Sequence, residues 1–237
     1  TAPLESKGYI DLTVEVLRGF GISVRETPRG WLVPGGQAYR APSYSVEGDW
    51  SQAAFFLSAA AVGGGPVALR SLRPDSVQGD RACVELWRRF GLEIREKSGV
   101  YTAENPRAGE PFRGLRGIRI DAKQIPDMVP ALAVTAAFAA GETVIYNAAR
   151  LRIKESDRLA AMEAALSAIG ADVRSTEDGL VVRGRAHLLG GRAEGCNDHR
   201  VVMALAAAGC DCTVTVTDAQ SIRKSYPGFF RDFRAIG

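Results

Sequence analysis

The 237-residue sequence is sparing with the residues that build metal and redox centres: it has four cysteines and two histidines. Cys83, Cys196, Cys210 and Cys212 show no Cys-x-x-Cys spacing, and with only His187 and His199 beside them no zinc constellation assembles. Cys210 and Cys212 would alternate faces of a strand, so buried inert thiols in a reduced, cytoplasmic protein are expected, with no metal and no cofactor. An excess of one charge is also missing. Lys plus Arg total 30 against 27 for Asp plus Glu, a net +3 that points to neither a nucleic-acid nor a membrane partner. No apolar run reaches the roughly 20 residues that a bilayer-spanning helix needs. The longest, Ala53–Val62 and Ala131–Ala140, carry Ser or Thr and read as buried helices. No basic-then-apolar leader opens the sequence, so nothing in it points to secretion. The glycine-flanked serine of a nucleophile elbow is absent. The run Gly63-Gly-Gly65 follows a helix and precedes a strand, the wrong order for a phosphate-cradling loop.

What is present is ordinary in amount and regular in arrangement. Apolar residues make up 46% and charged residues 24%, as in a soluble globular chain of one large or two small domains. A phrase recurs: a helical run, an apolar residue, Gly, an apolar residue, then a β-branched one. It appears as Phe20-Gly-Ile-Ser-Val24, Phe90-Gly-Leu-Glu-Ile94 and Ile169-Gly-Ala-Asp-Val173, and the sequence ends on Ile236-Gly237. Glycine just past a helix is a left-handed stop, and these four stand 70, 79 and 67 positions apart. A second phrase interleaves with it. Asp49, Asp127 and Asp198 each precede an Ala-rich, almost wholly apolar run, followed by the β-rich runs Pro66–Leu69, Thr143–Tyr146 and Thr213–Thr217. An acid suits a helix N-terminus, and a helix apolar all round must be buried.

Each unit therefore reads strand, buried helix, strand, amphipathic helix, strand, hairpin strand. Ser98-Gly99 and Asp178-Gly179 mark the hairpin turns. This predicts an α/β (α+β) fold of repeated βαβαββ units around buried parallel helices, with the three acid-bearing mouths converging at one end. The opening residues supply only the later part of a unit: a helix over about Tyr9–Phe20, a strand over Ile22–Arg25, Trp31–Val33 and a turn-rich crossover, Pro34–Tyr44. Residues 1–45 are thus expected to be the tail of a preceding domain, and 46–237 a domain of their own.

The densest charge cluster is Asn147-Ala-Ala-Arg-Leu-Arg-Ile-Lys-Glu-Ser-Asp-Arg158, between an apolar strand and an amphipathic helix starting at Leu159. Such a junction is where a helix N-terminus offers free N–H groups to an anion. A solvated loop with a capping cluster fits the same spacing. Asp198-His199-Arg200 likewise fits either a helix cap with surface charges or a site. With Asp49, Asp127 and Lys224 these residues offer carboxylates for proton transfer and cations for an anionic substrate.

Seven segments in order give the sequence a family resemblance: Ser6-Lys-Gly-Tyr9, Val46-Glu-Gly-Asp49, Gln78-Gly-Asp80, Ile125-Pro-Asp127, Arg152-Ile-Lys-Glu-Ser-Asp-Arg158, Asn197-Asp-His-Arg200 and Lys224-Ser-Tyr-Pro227. The sequence resembles the 5-enolpyruvylshikimate-3-phosphate synthases of the enolpyruvyl transferase family. The resemblance implies the C-terminal of two inside-out α/β-barrel-like domains, plus a tail of the other. It implies transfer of the enolpyruvyl group of phosphoenolpyruvate to the 5-hydroxyl of shikimate 3-phosphate in the shikimate pathway, by a monomer. Asp127, Glu155 and Lys154 match the catalytic groups. Arg158, Arg200, Lys224 and His199 match the phosphoenolpyruvate side. Ser6, Tyr9, Asp127 and Lys154 match the shikimate 3-phosphate side, where Arg150 stands in place of an Asn that many members have. The family's N-terminal Lys, Arg and Ser-Ser-Gln elements have no counterpart in the sequence, so a missing N-terminal domain is the expected partner and the fragment alone is expected to be inactive. The sister branch acting on a UDP-sugar lacks the Lys-Glu-Ser-Asp-Arg stretch. A non-catalytic repeat scaffold, or a relative acting on RNA termini, is the alternative from another class; no basic patch with interleaved aromatics supports RNA.

Overall fold

The computed structural model describes Leu4, residues 7–41 and residues 43–236; Ser6, Pro42 and Gly237 lie outside the described residues. The chain opens with α1 (Lys7–Gly19) and a hairpin of β1 (Arg25–Thr27) and β2 (Gly30–Leu32). Val14, Ile22 and Val24 form a small core of their own, with Trp31 packed against it. The strand predicted over Ile22–Arg25 begins only at Arg25. The reason is local: the Ser23 N–H donates to the Gln37 side chain at 2.7 Å, so no ladder partner meets it.

The main body begins at α2 (Trp50–Val62), in which every residue is buried. Next come β3 (Val67–Leu69), α3 (Cys83–Phe90), β4 (Glu93–Lys97) and β5 (Val100–Glu104), in a sheet of order β3-β5-β4. The middle unit is complete: β6 (Arg119–Asp121), α4 (Val129–Ala137), β7 (Glu142–Tyr146), α5 (Arg158–Ala168), β8 (Asp172–Thr176) and β9 (Gly179–Arg183). Its sheet runs β6-β7-β9-β8, with β6 parallel to β7 and the remaining pairs antiparallel. The last unit has β10 (Gly191–Ala193) parallel to β11 (Val214–Val216), with α6 (His199–Ala208) between them and α7 (Phe229–Arg234) at the end. The repeat is thus real, with its first strand absent from the first unit and its hairpin absent from the last, among the described residues.

The pattern of burial follows composition. The buried helices α2, α4 and α6 pack on one another pairwise, and their alanines (Ala54, Ala133, Ala204) let the backbones approach. Ser58 and Thr135, both fully buried, bond each other at 3.0 Å between α2 and α4. By contrast α3 buries Leu86, Trp87 and Phe90 and turns Arg88 and Arg89 outward. The glycines after α1, α3 and α5 carry positive φ (Gly21 82°, Gly91 124°, Gly170 93°), as the recurring phrase predicts.

The two hairpins reach the same shape differently. Ser98 and Gly99 both have positive φ, 53° and 75°, as a two-residue hairpin loop requires. At Asp178-Gly179 the loop is instead Glu177-Asp178, and Gly179 pairs with Thr176 inside the ladder. Glycine is needed there for space: a Cβ would lie 1.9 Å from the Ile145 carbonyl oxygen of β7.

The far end of the helix trio is sealed. Arg113 pairs with Asp211 just past α6, and its guanidinium carbon lies 4.9 Å from the centroid of the Phe138 ring at the end of α4. Asn105 Nδ2 donates to the Ala61 carbonyl of α2 at 2.8 Å and to the Arg113 carbonyl at 3.1 Å. These contacts occupy carbonyls that a helix C-terminus leaves open.

Candidate functional site

The opposite end holds the three acids. Asp49 caps α2, accepting the Ser51 N–H at 2.8 Å and the Ser51 hydroxyl at 2.7 Å. Asp198 caps α6, accepting the Arg200 N–H at 2.9 Å. Asp127 lies in the 3-10 turn Pro126–Met128 that leads into α4. Three N-termini side by side concentrate positive dipole ends, and carboxylates settle there.

The junction before α5 is built otherwise than a bare helix terminus. Asp157 caps α5, taking the Ala160 N–H at 3.0 Å and Arg152 at 2.8 Å, so the free N–H groups expected for an anion are partly spent on the chain itself. The cluster works through side chains instead. Arg158, in the first turn of α5, is 1% exposed and so is no solvated loop charge. It grips Asp198 with Nε at 2.8 Å and Nη2 at 3.2 Å, reaches Asp127 Oδ1 with Nη1 at 3.3 Å, and pairs with Glu155. Arg200 reaches Asp127 Oδ2 at 3.1 Å and the Ser51 hydroxyl at 3.1 Å, which closes a circuit back to Asp49. Lys154 stands 3.6 Å from Asp127 Oδ1. Tyr9 donates its hydroxyl towards Asp127 Oδ2 at 2.9 Å, bringing the first turn of α1 to the same place.

Asp127 therefore meets Arg158, Arg200 and Lys154 at once. Burial alone would raise its pKa; the charges of Arg200, Lys154 and Arg158 outweigh burial and hold it below the usual carboxylate value. Asp198 behaves alike: burial opposes ionisation, and the hydrogen bonds and charge of Arg158 win. His199 goes the other way. Burial and the neighbouring Arg200 lower its pKa, leaving a neutral imidazole with Nδ1 3.7 Å from Glu155 Oε1. Glu155, with its side chain 35% exposed, is the more open acid of the group.

The remaining sequence candidates lie around this core. Lys224 donates to the Asn197 carbonyl, beside the turn that leads into Asp198. Arg150, in the 3-10 turn Ala149–Ile153, lines a shallow cleft with Lys123, Asn147 and Asp178. Ser6 lies outside the described residues. Larger clefts occur elsewhere, one of about 630 Å³ beside Arg18 and Val24 and one of about 450 Å³ beside Asp49 and Tyr226. Neither includes Asp127, Glu155 or Arg158, so charge arrangement rather than volume selects the site. Sequence reasoning gave no role to Ser51, Ser156 or Asp80, although the last two stand in matched segments. The Ser156 hydroxyl donates to Asp198 at 3.0 Å, and Asp80 Oδ2 lies 3.1 Å from the Tyr9 hydroxyl oxygen. Each has a partner distant in sequence (Arg200 for Ser51, Asp198 for Ser156, Tyr9 for Asp80), and no spacing rule reveals that. Among the described residues no group of three or more His, Cys, Asp or Glu is placed to hold a metal ion, and no helix is long and apolar enough to cross a membrane.

The chain has relatives among known proteins. The chain is 43% identical over 242 residues to the 3-phosphoshikimate 1-carboxyvinyltransferase of Clostridioides difficile (strain 630), matching all of this chain and 53% of that protein. It is 37% identical to the protein of the same name from Methanocaldococcus jannaschii, again over all of this chain and 54% of the relative. The chain thus spans about half the length of the curated relatives it matches. Among solved structures, EPSP synthase from Acinetobacter baumannii superposes with a TM-score of 0.77 at 28% identity, covering 95% of this chain and 54% of that one. The family described as EPSP synthase (3-phosphoshikimate 1-carboxyvinyltransferase) matches residues 1–233. With the match running from the Tyr9 segment through the charge circuit to α7, the chain belongs to the EPSP synthase family.

Proposed function

We propose that this chain carries part of a site that moves the enolpyruvyl group of phosphoenolpyruvate to the 5-hydroxyl of shikimate 3-phosphate, releasing phosphate. The observation that carries this reading is Asp127: a mostly buried carboxylate kept ionised by three cations at the mouth of the helix trio. An ionised carboxylate there can accept the 5-hydroxyl proton as that oxygen attacks C2 of phosphoenolpyruvate. Glu155, more open and beside the neutral His199, gives a proton to C3 as C2 is attacked and takes one back from C3 as phosphate leaves the tetrahedral intermediate, which restores the enolpyruvyl double bond. Arg158 and Arg200 bind the phosphoenolpyruvate carboxylate. For Arg158 this means exchanging Glu155 for the ligand, which frees Glu155 for proton work. Lys154 offsets charge between the two ligands, and Lys224 meets the departing phosphate. Ser6, Tyr9 and Arg150 belong to the shikimate 3-phosphate side.

In this reading residues 46–237 are one barrel-like domain of repeated units, and 1–45 are the tail of another. Ligands carrying this much negative charge need cations on both sides, so a facing half completes the transition-state field. Titration calorimetry with the 237-residue chain tests the substrate class. Shikimate 3-phosphate is expected to bind and a UDP-sugar to give no heat; the reverse pattern sinks the reading. Steady-state phosphate release by the same chain is expected to stay at background.

A further inference from the structure

One acid of the site, Asp80, neither caps a buried helix nor takes part in the proposed chemistry. Asp80 lies in the 3-10 turn Gly79–Ala82 and is 2% exposed. Its Oδ2 is 3.1 Å from the Tyr9 hydroxyl, whose oxygen is also 2.9 Å from Asp127 Oδ2. A phenol has one proton to donate. With both acids ionised, one of these two short O···O contacts would set a phenol lone pair against a carboxylate. The other oxygen of Asp80, Oδ1, is buried without a partner, a poor place for half of an ionic charge.

We propose that Asp80 is a protonated positioning residue: its carboxylic acid donates to the Tyr9 oxygen, so that Tyr9 gives its single proton to Asp127. Both contacts then become hydrogen bonds running one way, Asp80 to Tyr9 to Asp127, and the unpartnered Oδ1 is a neutral carbonyl oxygen. Burial comes first, and with the charge of Asp127 and the smaller one of Asp49 it outweighs the charge of Arg200 and the hydrogen bond with Tyr9, which act the other way; the carboxyl is pushed up to about 7. Asp127 can be held ionised and Asp80 neutral because Arg158, Arg200 and Lys154 all stand within 3.6 Å of Asp127, whereas burial dominates at Asp80.

The geometry of the proton chain stands by itself; its consequence rests on the proposed function, in which Tyr9 and Asp127 receive shikimate 3-phosphate. When Asp80 ionises, Tyr9 is divided between two acceptors and the mouth gains a negative charge. Affinity for the anionic ligand is therefore expected to fall as pH rises through about 7. Asp80→Asn keeps a permanent donor in the same shape. Its affinity for shikimate 3-phosphate is expected to match that of the unaltered chain below about 7 and to exceed it above, the ratio of the two removing the ligand's own titration. Asp80→Ala loses the donor and is expected to bind about tenfold more weakly at low pH, the worth of one buried hydrogen bond. Infrared difference spectra between the unaltered chain and Asp80→Asn supply a readout free of ligand. A protonated-carboxyl band is expected on the acid side of about 7 and should vanish above it. Absence of that band, or parallel affinity profiles for the two proteins, overturns the proposal. If shikimate 3-phosphate fails to bind at all, the proposed function falls, and the infrared band still decides the proton.

Discussion

Both ends of the helix trio bury an arginine against an aspartate, and they are built for opposite ends. At the sealed end Arg113 and Asp211 have side chains 8% and 5% exposed; Arg113 meets one carboxylate, and Asp211 is completed by the Leu188 N–H and by His187 Nδ1, each at 3.1 Å, with Phe138 and Asn105 closing the surroundings. At the mouth nothing is paired one to one: Arg158 serves Asp198, Asp127 and Glu155, while Asp127 serves Arg158, Arg200 and Lys154. A pair with one cation and one carboxylate, closed by its own neighbours, has no charge to trade for a ligand. A circuit of shared charges can trade one partner for a ligand charge without stranding a buried ion, so sharing and an opening, rather than burial, mark a site.

The largest effect should come from cutting one arginine at each end. Arg158→Ala strands Asp198, which is fully buried, and is expected to cost about 3–5 kcal/mol in chemical denaturation. Arg113→Ala leaves the buried Asp211 with only the Leu188 N–H and His187 and is expected to cost up to a similar amount. The two should part in ligand binding. Whatever remains folded of Arg113→Ala should bind phosphoenolpyruvate as before, and Arg158→Ala should not. Equal losses at both ends would erase the distinction.

Next in size is Asp127→Asn, which keeps shape and removes charge. Affinity for shikimate 3-phosphate is expected to drop by about 1.5–3 kcal/mol, the worth of a hydrogen bond to a charged acceptor. Inorganic phosphate, which has no ring hydroxyls, should bind no worse. If both ligands weaken together, Asp127 is holding the fold of the mouth rather than reading hydroxyls.

The comparison also explains what the sequence disclosed. The buried helices of α2, α4 and α6, the glycine stops and the convergence of Asp49, Asp127 and Asp198 were legible because each is a local pattern repeated three times. The Lys154, Glu155 and Arg158 cluster was visible as composition. Its meaning was open until packing carried Arg158 inward, 40 positions from its partner Asp198. The role of Asp80 and the sealed end were illegible. Asp80 stands in the matched segment Gln78-Gly-Asp80, but its contact with Tyr9, 71 positions away, follows no spacing rule, and Arg113 meets an acid 98 positions away through Phe112 and Arg113 at positive φ, which no residue preference foretells. Local chemistry is repeated and can be read in a string. Pairings made across the fold by single residues cannot.

Acid should separate the ends more gently. Asp127 and Asp198 are lowered in the folded chain, so folding holds fewer protons there than the unfolded chain, whose aspartates titrate near about 3.9. Their stabilisation is present above that value and is lost as pH falls through the folded values. In Arg158→Ala the main cause of the Asp198 shift is gone. The decline of stability in acid is then expected to be shallower by up to about 1.4 kcal/mol per pH unit, one proton's worth. An unchanged acid slope would mean that Arg158 does not set the ionisation of Asp198.

The smallest test removes one hydroxyl from the mouth and one amide from the sealed end. Asp198 has four donors: Arg158 twice, the Arg200 N–H and Ser156. Ser156→Ala takes away one and leaves the ion paired, so about 1 kcal/mol of stability is expected to go, with ligand affinity unchanged. Asn105→Ala takes donors from two carbonyls that have few other prospects, Ala61 and Arg113, and is expected to cost as much or more. A shared network should absorb a lost donor better than a sealed one. If Ser156→Ala proves the costlier in denaturation, the mouth is as tightly bound to its own charges as the far end, and a ligand could not displace them.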